Sequence, residues 1–364
     1  MSSNPTVRPL LPKTSGSDFA RLSRKIADAG LGGGRRPGYY ALRIAGVAAL
    51  YVSGWAAVAL VGDSWWTLAV AAFLAVVFGQ VALLAHDAAH RQVFRRRRDS
   101  EASGRIAGAG VGVGVGVGVG MSYGWWQDKH TRHHANPNHE ELDPDLLVWP
   151  QDQALAAKGL PRLTGRWQAF LFFPLFTLQG FNLHVSNVKA LANRSLKHRT
   201  LDGTLLFTHF ALYLTVLLWL LPPGMAIAFL AVHQGLFGIY LGSLFAPNHK
   251  GMPMLTGEDR PDFLRRQVLT SRNVRGGLFT DIALGGLNHQ IEHHLFPSMP
   301  SPNLRNARTV VRRHCQELGL DYVETGLLTS YRLALTSLHQ AGAPLRHAHV
   351  PAQERTAAIG GGDV

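Results

Sequence analysis

Long apolar stretches alternate along the chain with short charged ones. Four apolar runs, roughly 40–61, 66–85, 203–221 and 225–246, approach the ~20 residues that a helix needs to cross a bilayer. The linkers group them in pairs: "VGDSWW" joins the first two and "LPPG" the last two. Both linkers are short enough to predict tight hairpins. Two other apolar stretches read differently. Residues 106–121 contain a strict Gly/Val alternation over 111–120. A period of two is formally a strand pattern, but a lone strand in lipid leaves its backbone unpaired. Glycine in turn costs a helix ~1 kcal/mol per site. The expectation is a loosely packed helix at the membrane interface or dipping into it, anchored by Trp125 and Trp126. No chemical role follows from the repeat. Residues 167–188 are interrupted by Pro174, Gln179, Asn182, His184 and Asn187, which predicts an amphipathic interfacial segment and not a span.

The expected fold is therefore all-α: an integral membrane protein with four transmembrane helices in two hairpins, capped by a cytoplasmic helical domain. Residues 1–37 are polar, basic and Gly-rich; they are expected to be largely disordered, with no secretory signal. The main domain is placed at 38–330, and 331–364 at a helix end and a disordered tail. Charge sets the orientation. Neither hairpin linker carries Lys or Arg, whereas Arg21, Arg24, Lys25, Arg35 and Arg36 precede the first span. Arg91 and the run Arg95–Arg98 follow the second. The positive-inside rule puts both termini and the central loop in the cytoplasm, and a bacterial inner membrane is the expected location. The formal charge of +13 over 364 residues flanks lipid-facing helices, so anionic headgroups are its expected counterpart; no nucleic-acid motif is present. A single cysteine, Cys315, excludes an intramolecular disulfide and a Cys-rich zinc or iron–sulfur site.

Histidine changes the picture. Three crowds stand out: "HDAAH" (His86, His90), "HTRHH" (His130, His133, His134) and "QIEHH" (Gln290, His293, His294). Solvated helices or satisfied core histidines would explain any one of them. However, the spacings i, i+3 and i+4 put each set on one helix face, and the predicted topology brings all three to one side of the membrane. That arrangement suits a metal bound by neutral imidazole nitrogens. Seven histidines exceed the needs of one ion, so two ions are expected, and His249 in "FAPNHK" is a candidate eighth ligand. Imidazole suits several metals, and the residues alone do not choose among them. Asp87 and Glu292 lie beside ligands but about 100° round a helix from them, which suits roles behind the ligands. Asp143 and Asp145 in "ELDPDL" could orient imidazoles or form a solvated turn. Asn248 precedes His249 and is a candidate for the same outer ring.

With these three histidine boxes the chain resembles the membrane fatty acid desaturase family. The glutamine-first third box, followed by "LFPSMP", resembles the branch that includes front-end desaturases and many bacterial acyl desaturases. "MSYGWW", "HANPNHEELDPDL" and "NHK" add to the likeness, which covers roughly residues 38–330. The resemblance implies a di-iron centre held by His86, His90, His130, His133, His134, His293 and His294, with His249 matching an extra histidine of some members. Gln290 replaces a histidine of other branches, so the set would be eight nitrogens, or nine donors if Gln290 binds. The implied reaction uses O2 and two electrons to place a cis double bond in a fatty acyl chain, carried by CoA or a lipid. No His-Pro-Gly-Gly haem motif is present, so electrons are expected from a separate donor of ferredoxin or cytochrome b5 type with its NAD(P)H reductase. Rival readings are a fatty acyl hydroxylase on the same scaffold and a non-catalytic metal-handling membrane protein. The latter predicts ligands along a path within the bilayer, whereas the boxes fall at span ends.

Overall fold

The computed structural model of the chain describes residues 17–32, 36–94, 96–109, 120–146, 158–193 and 196–347. Four helices are long and apolar enough to cross a membrane: α2 (Pro37–Val61), α3 (Trp66–Ala89), α9 (Arg199–Leu220) and α10 (Pro223–His249). Proline opens α2 and α10, where a missing N–H costs nothing. In lipid a helix is the one open segment that pairs its own backbone, so each apolar run folds this way. Leu42, Leu60, Trp66 and Trp219 are exposed on their outer faces, as lipid contact requires. The ends differ from the apolar runs in one informative respect. α3 and α10 continue beyond 85 and 246, and the added turns carry His86 and His249.

α3 packs along both α2 and α10. The approach of α3 to α10 depends on Gly79, where a Cβ would lie 2.1 Å from the Tyr240 ring. Helix α4 (Arg97–Ala109) also packs on α3. The Gly/Val repeat that follows lies, but for its last residue Gly120, outside the described residues. Ala107 and Met121, on either side of it, both pack against the core of the spans. Helix α5 is Tyr123–Ala135. The stretch 167–188 forms two short helices, α7 (Gln168–Phe176) and α8 (Gln179–Leu191), which follow the short α6 (Gly159–Arg166) and pack on α10.

A second apolar core lies beyond the span ends. It is built by Leu22 and Ile26 of α1 (Ser17–Asp28), Leu264 and Val268 of α11 (Phe263–Leu269), Ile291 and Leu295 of α13 (Gln290–Leu295), and Leu304, Ala307 and Val311 of α14 (Ser301–Glu317). The expectation of disorder over 1–37 is thus corrected for Ser17–Asp28. Phe19, Leu22 and Ile26 share one helical face, and Asp18 pairs with the buried Arg265. Residue 330 is likewise no boundary, because α15 (Leu327–Ala341) crosses it and packs on α7 and α10; α16 (Ala343–His347) follows. The all-α expectation needs one addition. Asn273–Arg275 (β1) and Glu324–Gly326 (β2) form a two-stranded parallel ladder, with Asn273 opposite Glu324. Helix α12 (Leu278–Ala283) follows β1.

Arg272 locks the end of α10. It is 1% exposed, and its guanidinium donates to the carbonyls of Pro247 (2.6 Å), Lys250 and Ser330 (3.1 Å). The last carbonyls of a helix have no partner within it, so one planar cation closes the turn that bears His249. Replacing Arg272 by Met should leave the buried Pro247 and Lys250 carbonyls unpaired and cost at least ~2 kcal/mol. A thermal unfolding midpoint equal to wild type in detergent would refute this role.

Candidate metal centre

The three boxes arrive on separate elements: His86 on the last turn of α3 with His90 capping it, His130, His133 and His134 on α5, and His293 and His294 on α13. The structure brings them together, at the ends of α3 and α10 and between the two apolar cores. One nitrogen from each of His86, His90, His130, His134 and His293 lies within 4.8 Å of the others, and His133, His249 and His294 form a second such group. The groups adjoin, with His134 and His294 stacked at 4.3 Å.

The donor set fits metal ions. His130 Nε2 is 2.8 Å from His90 Nε2 and 3.1 Å from His134 Nε2. Ligands at right angles around one ion, each bonded at ~2.1 Å, would lie about 3 Å apart. In the second group every Nδ1 faces an oxygen: Asp143 Oδ1 for His133 (3.0 Å), the Thr270 carbonyl for His249 (3.1 Å) and Gln267 Oε1 for His294 (3.0 Å). Gln267 cannot be turned round, because its amide nitrogen donates to the His134 carbonyl. The Nδ1 atoms therefore carry the protons, and three Nε2 lone pairs point inward. His86 Nε2 and both ring nitrogens of His293 are buried with no hydrogen-bond partner among the described residues, a costly state unless something binds them. Burial first, and neighbouring imidazoles second, hold His90, His130, His134, His293 and His294 well below the usual imidazole pKa. These rings are neutral at pH 7, as ligands must be.

The flanking candidates divide. Asp143 accepts from His133 and from the backbone N–H of Asn138 and Asp145. Burial works against its carboxylate, but these bonds keep its pKa low. Asp87 Oδ1 is 3.4 Å from His86 Nδ1, while its other oxygen accepts from Arg43 of α2 (2.6 Å) and Ser301 of α14 (3.1 Å). Asp145 pairs with Lys129 at 2.5 Å and lies near His133. Glu292 meets no histidine ring. It accepts from Asn273 (2.7 Å) and Tyr322 (2.8 Å), and Asn273 in turn holds the Ile291 N–H, so it fixes α13. Gln290 presents its amide nitrogen to His249 Nε2 and His294 Nε2, each at 3.0 Å, while its oxygen accepts from Asn248. Asn248 is itself oriented by the Leu244 and Leu287 carbonyls. In this arrangement Gln290 turns its amide nitrogen, and not its oxygen, toward these two rings.

An apolar groove starts at the centre. His86, His130, His133 and His249 form one end, and Leu183, Phe237, Leu241 and Leu244 line its length. It contains about 1150 Å³ of atom-free space, including the part open to the outside. Trp126 lines it while stacking on His130 at 4.6 Å. Lys129, Asp145 and Lys250 also line it, and burial pushes the Lys250 pKa down to about 8. Sequence spacing gave no sign of Gln267, Thr270 or Arg43, which lie far from the boxes along the chain, nor of Ser301, which follows the third box outside its helical repeat.

Residues 63–326 match the family described as fatty acid desaturase. The chain is 32% identical to the acyl-lipid (9-3)-desaturase of Physcomitrium patens over 78% of its own length and 54% of the relative's. It is 29% identical to fatty acid desaturase 3 of Bos taurus over 89% and 73%, and 28% identical to the Delta(8)-fatty-acid desaturase of Euglena gracilis over 69% and 62%. The chain thus spans about half the length of the moss relative. It belongs to the fatty acid desaturase family, and with its four apolar helices it is an integral membrane protein.

Two outcomes follow for the centre. Asp143→Asn should lower metal affinity by roughly 10- to 100-fold by freeing His133, read as metal per polypeptide under chelator competition. His339→Ala, on an exposed position, should change nothing. The metal-stripped protein should also be acid-labile. Its buried histidines have depressed folded pKa values, so below about pH 6.5 the unfolded chain binds more protons. Their stabilising contribution is full above that pH and is lost as the pH falls. A thermal midpoint unchanged between about pH 8 and 5.5 would contradict the neutral assignment.

Proposed function

We propose that this protein is an O2-dependent fatty acyl desaturase, with His86, His90, His130, His133, His134, His249, His293 and His294 holding two iron ions. The observation that carries this is the pairing of eight clustered histidines, six of them buried and His90 and His134 half-buried, with an apolar groove that starts at them. An acyl chain already partitions into the bilayer and would enter the groove from the membrane. Leu183, Leu241 and Leu244 exclude water from it. Trp126, held against His130, sets how closely a methylene approaches the histidines. Lys129 and Lys250 suit the negative charge of a CoA or lipid head. When bound, the irons supply the activation of O2 needed to break two unactivated C–H bonds. The overall change is –CH2–CH2– plus O2, two electrons and two protons, giving –CH=CH– and two waters. The residues around the ligands hold the imidazoles neutral and in place throughout: Asp143, Gln267 and Thr270 accept their N–H protons, and Asp87 backs His86.

The positive-inside pattern favours a cytoplasmic site and cytoplasmic termini in a bacterial inner membrane. Electrons are assigned to an external ferredoxin or cytochrome b5 type protein with its NAD(P)H reductase. Such donors are commonly acidic, and the basic face should steer them.

The deciding experiment is expression in a host lacking polyunsaturated lipids, followed by fatty-acid profiling with double-bond localisation. Loss of two hydrogens is expected; gain of an oxygen would mark a hydroxylase. His90→Ala, His133→Ala and His293→Ala should each abolish the product and lower bound iron while insertion persists. Purified enzyme with iron, substrate, O2 and NAD(P)H alone should give nothing. Added donor and reductase should restore turnover, which should fall as salt rises from about 50 to 500 mM. Turnover without them would refute the external donor.

A further inference from the structure

A second set of buried histidines lies away from the metal centre. His209 on α9 and His233 on α10 are 2% and 0% exposed, and His209 Nδ1 and His233 Nε2 have no hydrogen-bond partner among the described residues. His233 Nδ1 contacts the Tyr213 hydroxyl at 3.0 Å. Beside them His184 of α8 bridges two elements. Its Nδ1 is 3.0 Å from the Gly120 carbonyl and its Nε2 3.2 Å from Gln234 Oε1, while Gln234 Nε2 is 3.4 Å from His233 Nδ1. Both facing oxygens only accept, so a neutral ring satisfies one of them with its N–H, and turning the Gln234 amide round lets Nε2 receive an N–H instead.

The position of this bridge is what matters. The groove follows α10 from His249 to Phe237, about 18 Å of helix rise, and Gln234 is on the next turn. Met121, next to Gly120, and Leu183, next to His184, also line the groove. The bridge therefore ties together three groove-lining elements just beyond their last lining residues. It has little room to swing aside, because a Cβ on Gly180 would lie 2.7 Å from the Gln234 carbonyl.

We propose that the His184–Gln234 bridge is a polar stop at the inner end of the groove and sets the longest acyl tail the enzyme converts. This rests on the desaturase reading above. A tail that reached past Phe237 would break both bonds and leave the Gly120 carbonyl, the imidazole and the amide facing hydrocarbon. It would meet His209 and His233 beyond, which offer an alkyl end no compensation. Buried polar groups left unpaired discriminate far more strongly than one extra methylene in an apolar pocket. A purely apolar end would give way gradually with length, whereas a polar stop cuts off sharply.

The test uses the full chain in a host fed fatty acids of 14 to 22 carbons, with Gln234→Met, which keeps side-chain bulk and removes the amide, and His184→Leu. In parallel, thermal stabilisation of the purified proteins by the same acids reads binding without turnover. Wild type should show an abrupt upper limit. Gln234→Met should raise conversion of the first excluded length at least ~10-fold and extend the stabilising series by at least one member. An unchanged limit in both readouts would overturn the proposal, and if Gln234→Met does not fold, His184→Leu decides by the same criterion. Wild type that neither converts nor is stabilised by any of these acids would instead refute the desaturase reading.

Discussion

Burying neutral imidazoles with their lone pairs converging is the constraint on which the rest of this structure depends. Each ring has two nitrogens, and a fixed acceptor for the proton on one turns the other toward the centre. The second histidine group meets this requirement with acceptors from two distant segments. Asp143 reaches His133 from the loop after α5, and Gln267 and Thr270 reach His294 and His249 from α11 and its end. Helix α11 is held in turn by its own buried contacts with α1 and α13. The second apolar core is thus the frame that sets the hydrogen-bond acceptors at the height of the span ends.

The bilayer sets the complementary condition. The helices carrying His86 and His249 must end at the same level, and each must expose its last carbonyls without water from the lipid side. Gly79 lets α3 and α10 meet closely enough for this. Arg272 satisfies the end of α10, and the Arg43–Asp87–Ser301 chain ties α2, α3 and α14 together behind His86. These are buried ionic contacts, weak evidence for stability in themselves but effective at fixing one arrangement. Here that arrangement is the spacing of the histidines.

Much of this was legible from the chain. Spans announce themselves through unbroken apolar length, and boxes through i, i+3, i+4 spacing, because both patterns are local. The outer ring was legible only where it lies beside the boxes along the chain, as with Asp87 and Asp143. Gln267, Thr270 and Arg272 reach the site only through tertiary packing, and nothing in their neighbours' spacing marks them. Glu292 illustrates the opposite error. Its place beside two candidate ligands suggested a role next to the histidines, but on the short helix α13 its side chain leaves the far face and binds Asn273 and Tyr322. The order of Ser17–Asp28 was hidden by its overall polarity, although its three large apolar residues already shared one face.

The groove and the centre share a wall, and this limits how independently either can vary. Trp126 stacks on His130 and is also groove lining, and Leu183 and Phe237 belong at once to the groove and to the core of the spans. Close-packed interiors transmit displacement because they have few voids to absorb it. Under the proposed function, a tail that filled the groove would press on the same aromatic ring that supports a histidine. The width of the groove along α10 and the geometry at His130 are two aspects of one packing arrangement, so a change that loosens the first without touching a histidine also moves the second.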